Sequence, residues 1–323
     1  MPADEIEVGG IRLTSPDKVL FPEQGITKRE LAEYVLAVAP AMLPHVADRP
    51  ITLVRCPTGR QRKCFYQRHA GSGVPPQLHE VPIPGFDEPY LYIRDAAGLV
   101  ATVQMGALEL HPWGARRDRP DRPDRVIFDF DPGEGALFSA VVAAALEIRA
   151  RLEALGLVSF VKTTGGKGLH VVVPIARRHE WREAKGFAKA LAETMARDAP
   201  DRFLTRLSKA ERTGRIFIDY LRNDPTSTAV APYSTRSRAG APVSTPLDWS
   251  EVDERLDPAA FTLRTVPARV ADRGDPWAEI AAIEQRLPPV TAEQPARRRR
   301  SAKTKSEGGT DGRSHPPAAH QPR

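Results

Sequence analysis

The sequence predicts an α+β fold, with an N-terminal αβ part at residues 1–115 and a βαββαβ unit within residues 116–290. Three observations predict it. β-Branched runs alternate with helical segments between Val126 and Tyr220. A capping-box pair, Thr27 and Glu30, stands at the start of the helical pattern KRELAEYVLAVAPAML. A segment rich in Pro, Arg and Asp, ARRDRPDRPDR at 115–125, joins the two parts.

The N-terminal part continues with ITLVRCP at 51–57, which is typical of a strand. Its two cysteines, Cys56 and Cys64, form no CxxC pair. His69 and His79 follow them, so a zinc site is an alternative. Because the chain holds so few cysteines, we expect two ordinary, partly buried thiols in a reducing compartment.

The βαββαβ unit is read from six consecutive segments. The predicted strands are VIFDF (126–130), LVSFVKT (157–163), LHVVVPI (169–175) and RIFIDYL (215–221), and the predicted helices are 136–156, closed by Gly156, and 180–198. TGGKG forms the turn between the second and third strands. This order is the ferredoxin-like unit, also seen in polymerase palms and RNA-recognition modules.

This topology predicts that four polar side chains converge. The first strand lies between the third and fourth strands and antiparallel to both, so its end faces their beginnings. Asp129 and Asp131 lie at the end of the first strand, His170 at the start of the third, and Asp219 on the fourth. We therefore expect these four residues at one edge of the sheet.

The carboxylates at this edge predict a metal site. Asp129 and Asp131 are two residues apart on a strand and point to the same face. With Asp219 they form an oxygen-rich set that suits Mg²⁺ or Mn²⁺. Two such ions activate a 3′-hydroxyl and stabilise a leaving pyrophosphate. The alternative is a solvated acidic strand end without a metal.

The segment TTGGKGLH at 163–170 supplies the opposite charge. Its glycines let backbone N–H groups approach a phosphate, and Lys167 and His170 neutralise a triphosphate. Gly168 follows the lysine where a Walker A motif has Ser or Thr. Taken alone, GGKG is more often a simple hairpin turn. Beside three carboxylates on facing strands, it indicates a nucleotide site.

The net charge of +6 is concentrated in the tail. From Val290 onward there are eight Lys or Arg and three acidic residues, so the preceding body is nearly neutral. The composition of 291–323 predicts a disordered basic tail that contacts nucleic acid or simply aids solubility. No apolar run predicts a membrane span and no secretory signal is seen, so we expect a cytoplasmic, nucleoid-associated monomer.

Four motifs, IFDFDPGEG, TTGGKGLHVVVP, IFIDYLRND and TAVAPYSTRSRAGAPVSTPL, resemble in order and spacing the polymerase domain of bacterial DNA ligase D, a member of the archaeo-eukaryotic primase superfamily. The resemblance runs from about Ile11 to about Arg273. It implies a primase-polymerase fold and nucleotide addition at breaks and gaps in DNA during non-homologous end joining. It also implies NTP or dNTP substrates, Mn²⁺ or Mg²⁺, and Ku and a separate DNA ligase as partners, since the chain shows no ligase motif.

The resemblance also implies residue roles. The metal ligands are Asp129, Asp131 and Asp219. The nucleotide contacts, some read also from the turn, are His111, Thr164, Lys167, His170, Arg222 and Arg236. The pocket for the 5′-phosphate of a gap is Ser15, Lys18 and Lys28, and Phe65, with Tyr66 beside it, stacks on a template base. Two positions depart from the family pattern, because Thr164 replaces a common serine and Ser15 stands where an amide side chain occurs.

Two other functions compete with this one. A phosphatase of the haloacid dehalogenase class also has a strand ending in DFD, but Pro132 and Gly133 follow here in place of Gly-Thr. A non-catalytic module that bridges DNA ends would use Lys18, Lys28 and the tail. The presence of all three acids argues against that second alternative.

Overall fold

The computed structural model describes residues 4–206 and 208–289. The elements of its N-terminal part are β1 (Glu5–Val8), β2 (Ile11–Thr14), β3 (Val19–Phe21), β4 (Ile26–Thr27), α1 (Lys28–Val46), β5 (Ile51–Arg55), β6 (Phe65–Gln67), β7 (His79–Val81), β8 (Tyr90–Tyr92), α2 (Ala96–Gln104) and β9 (Ala107–Pro112). Those of the C-terminal part are β10 (Arg125–Pro132), α3 (Phe138–Ala154), β11 (Phe160–Thr163), β12 (Leu169–Pro174), α4 (Trp181–Asp198), β13 (Phe203–Leu204), β14 (Ile216–Asp219), β15 (Pro246–Leu247) and α5 (Val266–Arg273).

Helix α1 starts where the sequence predicts. Thr27 is the N-cap, its hydroxyl accepts from the N–H of Glu30, and the Glu30 carboxylate accepts from the N–H of Thr27, which completes the capping box. The apolar face of α1 is buried against α2 and the sheet β6-β5-β9. This packing fixes the helix N-terminus, which carries Lys28, relative to the strands that follow.

The C-terminal part is built on a six-stranded sheet in the order β13-β14-β10-β12-β11-β15. Its four central strands confirm the predicted βαββαβ order, with β10 antiparallel to both β12 and β14. The two short edge strands β13 and β15 were not predicted, since two residues carry too little periodicity to be recognised. The α+β fold class is confirmed.

Two helices cover one face of this sheet and irregular segments cover the other. Helices α3 and α4 bury a continuous apolar core against β10 and β12. On the opposite face, Ile127 and Val172 pack against Trp277 and Ile280. Because both faces are covered, the sheet is exposed mainly at its ends, and that is where polar side chains collect.

The segment at 115–125 is held by ion pairs to both parts, and on the C-terminal side Arg177 pairs with its Asp118 at 2.7 Å. Asp124 pairs with Arg49, which lies between α1 and β5, at 2.5 Å. Arg117 pairs with Asp48 at 2.7 Å. The two parts also share direct hydrogen bonds, such as that from the hydroxyl of Tyr34 on α1 to the carbonyl of Tyr233 at 2.7 Å. These contacts fix the N-terminal part relative to the six-stranded sheet.

The prediction of free thiols is wrong. Cys56 and Cys64 form a disulfide that closes the loop between β5 and β6. Because both sulfur atoms are in the disulfide, they cannot serve as the thiolate ligands of the alternative zinc site. The spacing of the cysteines did not reveal the pair, because the antiparallel pairing of Arg55 with Phe65 is what brings the adjacent cysteines together.

No helix in the described part of the chain is long and apolar enough to cross a membrane. The predicted basic tail, 291–323, lies outside the described residues.

Candidate active site

The site is centred on Asp129 in β10. Its register partners are His170 on β12 and Asp219 on β14. Asp131 follows two residues later, on the same face of the strand. The predicted convergence of these four residues at one end of the sheet is therefore confirmed.

Arg222, in the loop after β14, lies between the carboxylates. Its guanidinium is 3.2 Å from Asp129 Oδ2 and 3.2 Å from Asp219 Oδ2. His170 Nε2 lies 3.3 Å from the same Asp129 oxygen. The N–H of Leu221 donates to Asp219 Oδ1 at 2.8 Å and fixes that carboxylate.

The environment separates the pKa values of these groups. Burial would raise the pKa of Asp129, but the nearby His170, Arg222 and Lys162 outweigh it and hold the pKa below its usual value. Burial and the charge of Asp129 raise the pKa of Asp131 to about 6. Burial, followed by the charge of Lys162, lowers the pKa of His170 to about 4. His170 is therefore neutral at pH 7, which differs from the charge that the sequence analysis assigned to it.

The donor set fits a hard divalent cation. Asp129 Oδ1 is buried and accepts no hydrogen bond among the described residues. Burial is the largest cause of the raised pKa values of Asp131 and Asp219. Repulsion from the Asp129 carboxylate raises both values further. In the described part of the chain no three acidic, His or Cys side chains already form a metal cage. Arg222 bridges Asp129 and Asp219, so a cation held by the Oδ2 atoms of both would have to displace that guanidinium.

Beside the carboxylates, a wall of positive charge lines the same cavity. Gly165 has φ of +63° and a Cβ there would lie 2.6 Å from Arg236 Cγ, so the turn packs directly on this arginine. A Cβ on Gly166 would lie 2.8 Å from Arg238 Nη1. The exposed Lys167 completes the wall.

These groups line one cavity of about 330 Å³. Its lining includes His111, Asp129, Asp131, Thr164, Lys167, His170, Arg222 and Arg236, all predicted from the sequence, together with Arg212, Thr228 and Arg238, which were not. Arg238 lies two residues beyond Arg236 in the motif YSTRSR, and that repeat was the signal that could have identified it.

Glu109 is a further residue that was not predicted from the sequence. It is 5% exposed and its carboxylate accepts from Arg236 Nε and from His111 Nε2, both at 2.8 Å. It also accepts from the N–H and the hydroxyl of Ser237. Glu109 therefore orients two predicted nucleotide contacts that come from opposite parts of the chain. The Thr164 hydroxyl also has a hydrogen-bond partner within the protein, since it donates to the carbonyl of Gly168 at 3.1 Å.

The residues predicted for the 5′-phosphate form a separate group at the start of α1. The N–H of Lys28 donates to the carbonyl of Lys18, and the N–H of Lys18 donates to that of Ser15. Lys28 Nζ is buried and donates to the carbonyl of Thr14 at 3.0 Å and to Gln104 Oε1 at 2.7 Å. Burial, followed by repulsion from Lys18, lowers the pKa of Lys28 to about 8. These residues do not line the 330 Å³ cavity.

Phe65 lies on β6 and is 41% exposed, and its neighbour Tyr66 is 73% exposed. The guanidinium of Arg55 lies 5.2 Å from the centroid of the Phe65 ring. His111 lies on β9 of the same three-stranded sheet. This sheet therefore carries both an exposed aromatic ring and one wall of the cavity.

Comparison with known proteins gives one consistent family. The model of the family described as LigD, primase-polymerase domain, matches residues 27–277. The multifunctional non-homologous end joining protein LigD of Pseudomonas aeruginosa is 39% identical over 290 residues, which are 88% of this chain and 34% of that protein. The bifunctional non-homologous end joining protein LigD of Bacillus subtilis is 30% identical over 269 residues, which are 83% of this chain and 43% of that protein. The chain thus spans less than half the length of these relatives.

A solved structure is also similar. The polymerase domain from Mycobacterium tuberculosis ligase D, in complex with DNA, superposes with a TM-score of 0.79 and 33% sequence identity. The match covers 84% of this chain and 98% of that one. The architecture described above is therefore that of a known domain.

Proposed function

The chain belongs to the family of LigD primase-polymerase domains, and from that membership we propose that it is a template-directed nucleotidyltransferase that fills gaps and extends ends in non-homologous end joining. The observation that carries the proposal is the cavity that Asp129 and Asp131 line together with Lys167, Arg236 and Arg238, with Asp219 paired to Asp129 on the neighbouring strand. One wall suits cations and the other suits a triphosphate. The relative of known structure was solved with DNA, which supports DNA ends and gaps as the substrate.

Each group has a task in this proposal. Asp129, Asp131 and Asp219 would hold Mn²⁺ or Mg²⁺, which activates a 3′-hydroxyl and stabilises the leaving pyrophosphate. Lys167, Arg236 and Arg238 bind and orient the triphosphate of an NTP or dNTP. His111, held by Glu109, contacts the sugar. His170 keeps Asp129 oriented through its neutral imidazole.

The DNA contacts lie outside the cavity. Phe65 stacks on a template base, and Ser15, Lys18 and Lys28 bind the 5′-phosphate on the far side of a gap. Ku and a separate DNA ligase are the proposed partners, since the LigD relatives are non-homologous end joining proteins.

An incorporation assay on a gapped duplex tests the proposal. We expect Asp129→Ala and Asp219→Ala each to slow nucleotide addition about 10³-fold, a barrier increase of about 4 kcal/mol, with Mg²⁺ or Mn²⁺ and with ribo- or deoxyribonucleotides. Binding to the duplex should change little, because these carboxylates act in the chemical step.

Asp253→Ala is the matched control, since Asp253 pairs with the exposed Arg255 and does not line the cavity. It should incorporate nucleotides at the wild-type rate. If the unmodified protein adds no nucleotide under any of these conditions yet binds broken ends, the end-bridging alternative is correct. The phosphatase alternative is not carried further, because no observation beyond the DFD motif favours it.

A further inference from the structure

A second cationic cavity, of about 120 Å³, lies at the opposite end of the six-stranded sheet. Four arginines line it: Arg49, Arg116, Arg125 and Arg177. Arg125 opens β10, near whose other end Asp129 lies. At a strand rise of about 3.3 Å per residue, the two are roughly 13 Å apart along the strand. The arginine cavity is therefore separate from the candidate active site.

The positive charge of the arginine cavity exceeds its negative charge. Asp124 alone pairs with three of the arginines, at 2.5 Å from Arg49, 3.3 Å from Arg125 and 3.5 Å from Arg116. The other acid that lines the cavity, Glu284, is exposed. One buried carboxylate is thus shared among three guanidinium groups.

The fourth arginine has its counterion elsewhere. Arg177 donates from Nη1 and Nη2 to the two carboxylate oxygens of Asp118, at 2.9 and 2.7 Å. Asp118 does not line the cavity. This leaves the inner edge of the Arg177 guanidinium, which carries Nε, available to another acceptor.

Hydrogen-bonding capacity also remains unused. Arg49 is 1% exposed, and its Nε is buried without a partner among the described residues. The Nε of Arg177 is likewise buried without a partner among the described residues. Burial, followed by repulsion from Arg49, lowers the pKa of Arg125 to about 9. Buried donors and like charges of this kind are costly unless an anion satisfies them.

We propose that the arginine cavity binds a small phosphate-class oxyanion, such as inorganic phosphate or pyrophosphate. Forked guanidinium donors match the oxygens of a tetrahedral oxyanion. The anion must be small, because the cavity is narrow and Arg49 and Arg125 are both less than 10% exposed. Such an anion would join the turn before β5, the segment before β10 and the loop after β12, which all meet here.

Calorimetric titration with inorganic phosphate, at constant ionic strength in chloride, tests this proposal. The candidate active site also attracts phosphate, so the titration is made in the background of Arg236→Gln, which weakens that first site. In this background we expect the arginine cavity to give a saturable binding event of its own, separate from that of the proposed 5′-phosphate pocket. Adding Arg116→Gln and Arg177→Gln should weaken it at least tenfold. These two side chains are chosen because they are the more exposed members, whose replacement leaves the buried pair of Arg49 and Asp124 intact.

Glu284→Gln gives a second test, which does not depend on the folding of the variant that combines Arg236→Gln, Arg116→Gln and Arg177→Gln. It removes the competing charge at the rim, so phosphate should bind severalfold more tightly. The proposal is overturned if phosphate binding is the same with and without the two substitutions, or if Glu284→Gln leaves it unchanged.

Competition with duplex DNA identifies the source of the phosphate group. Displacement of phosphate by DNA would show that the cavity takes the DNA backbone and would refute a small free anion. None of these outcomes depends on polymerase activity.

Discussion

Asp129 is the residue at which the opposing charges of the active site meet. Its carboxylate lies against Arg222 and the His170 imidazole, while the buried Lys162 lies on β11 as the register partner of His170. Burial lowers the pKa of Lys162 well below its ordinary value, with the charge of Asp129 opposing this shift. The ionised Asp129 is stabilised by these neighbours. Asp131, in contrast, is repelled by the other two carboxylates. A cation between Asp129 and Asp131 would relieve that repulsion.

Glu109 is expected to act as a positioning residue for nucleotide binding. Burial would raise its pKa, but His111 and Arg236 lower it well below its usual value, so the carboxylate stays ionised. Glu109→Gln removes the charge from hydrogen bonds worth about 1.5–3 kcal/mol. We therefore expect KM for the nucleotide to rise at least tenfold, with a smaller change in kcat.

Steady-state incorporation kinetics measure this effect. Glu251→Gln is the control, because Glu251 pairs with Arg269 and Arg273 away from the cavity and should leave KM unchanged. An unchanged KM in Glu109→Gln would mean that Arg236 and His111 hold their positions without it.

Lys28 is expected to make the proposed preference for a 5′-phosphate depend on pH. Its pKa of about 8 is lower than usual, so its charge is lost as the pH rises through 8. The terminal phosphate is already close to doubly charged above about pH 7. We expect the ratio of affinities for 5′-phosphorylated and 5′-hydroxyl gapped duplexes to be largest near pH 7 and to fall toward pH 9. Phosphate binding raises the Lys28 pKa, which moves the midpoint of this fall above 8.

Fluorescence anisotropy with both duplexes at each pH measures this ratio, and the 5′-hydroxyl duplex corrects for other titrating contacts. The neighbouring carboxylates are already engaged, since Asp17 pairs with Arg29 and Glu30 with the helix cap. Lys18→Ala should lower the ratio but keep its dependence on pH. A ratio that is constant from pH 7 to 9 would exclude Lys28 from the pocket.

At the scale of elements, short polar links set the ends of the strands. Asn223, 1% exposed, accepts from the N–H of Ile127 and donates to the carbonyls of Ile127 and Tyr220, all at 2.8 Å. It thereby continues the pairing of β10 beyond the end of β14. The loop that carries Arg222 is anchored by this side chain, so the position of the guanidinium follows from the strand register.

The disulfide between Cys56 and Cys64 is expected to stabilise the β5-β6 hairpin. The two residues are separated by 8 positions. In the chain-entropy model, closing so short a loop contributes roughly 2.5 kcal/mol. Reduction should therefore lower Tm by about 5 °C. The loop between the cysteines also leads into Phe65, so we expect reduction to weaken DNA binding modestly.

Thermal denaturation with and without dithiothreitol measures the first effect. Cys64→Ser serves as the control, since it should melt with the reduced protein and show no response to the reductant. Identical melting of the oxidised and reduced wild type would contradict this contribution.

At the scale of the molecule, the described residues, 4–206 and 208–289, form one compact unit with two large apolar cores. One core lies under α1 and α2 and the other under α3 and α4. The 330 Å³ cavity takes His111 from the first part and the carboxylates from the second. Its geometry therefore depends on the contacts that hold the two parts together, among them Arg236 on Glu109.

Removing residues 291–323 should weaken DNA binding without abolishing nucleotide addition. This segment holds eight basic and three acidic residues. Each tail cation that contacts a phosphate contributes about 0.9 to the slope of log K against log salt, so the truncated protein should show a flatter slope. Binding measured at several salt concentrations checks this, with incorporation at saturating DNA as the control. Loss of incorporation there would show that the tail is part of the catalytic domain.

The sequence by itself determined the βαββαβ order, the N-cap of α1 and the convergence of Asp129, Asp131, His170 and Asp219. These features follow from local periodicity and from the few ways in which such strands can be connected. It also carried the motifs on which the family assignment depends. Local patterns were sufficient there because each motif lies within one strand or one turn.

Only the tertiary structure decided which distant residues meet. Glu109 and Arg236 lie 127 positions apart, and the arginine cavity draws its members from three separate loops. The disulfide and the bridge of Arg222 between two aspartates also appear only once the strands are in register. Contacts of this kind depend on how whole elements pack, and neither hydrophobic periodicity nor the spacing of a motif encodes them.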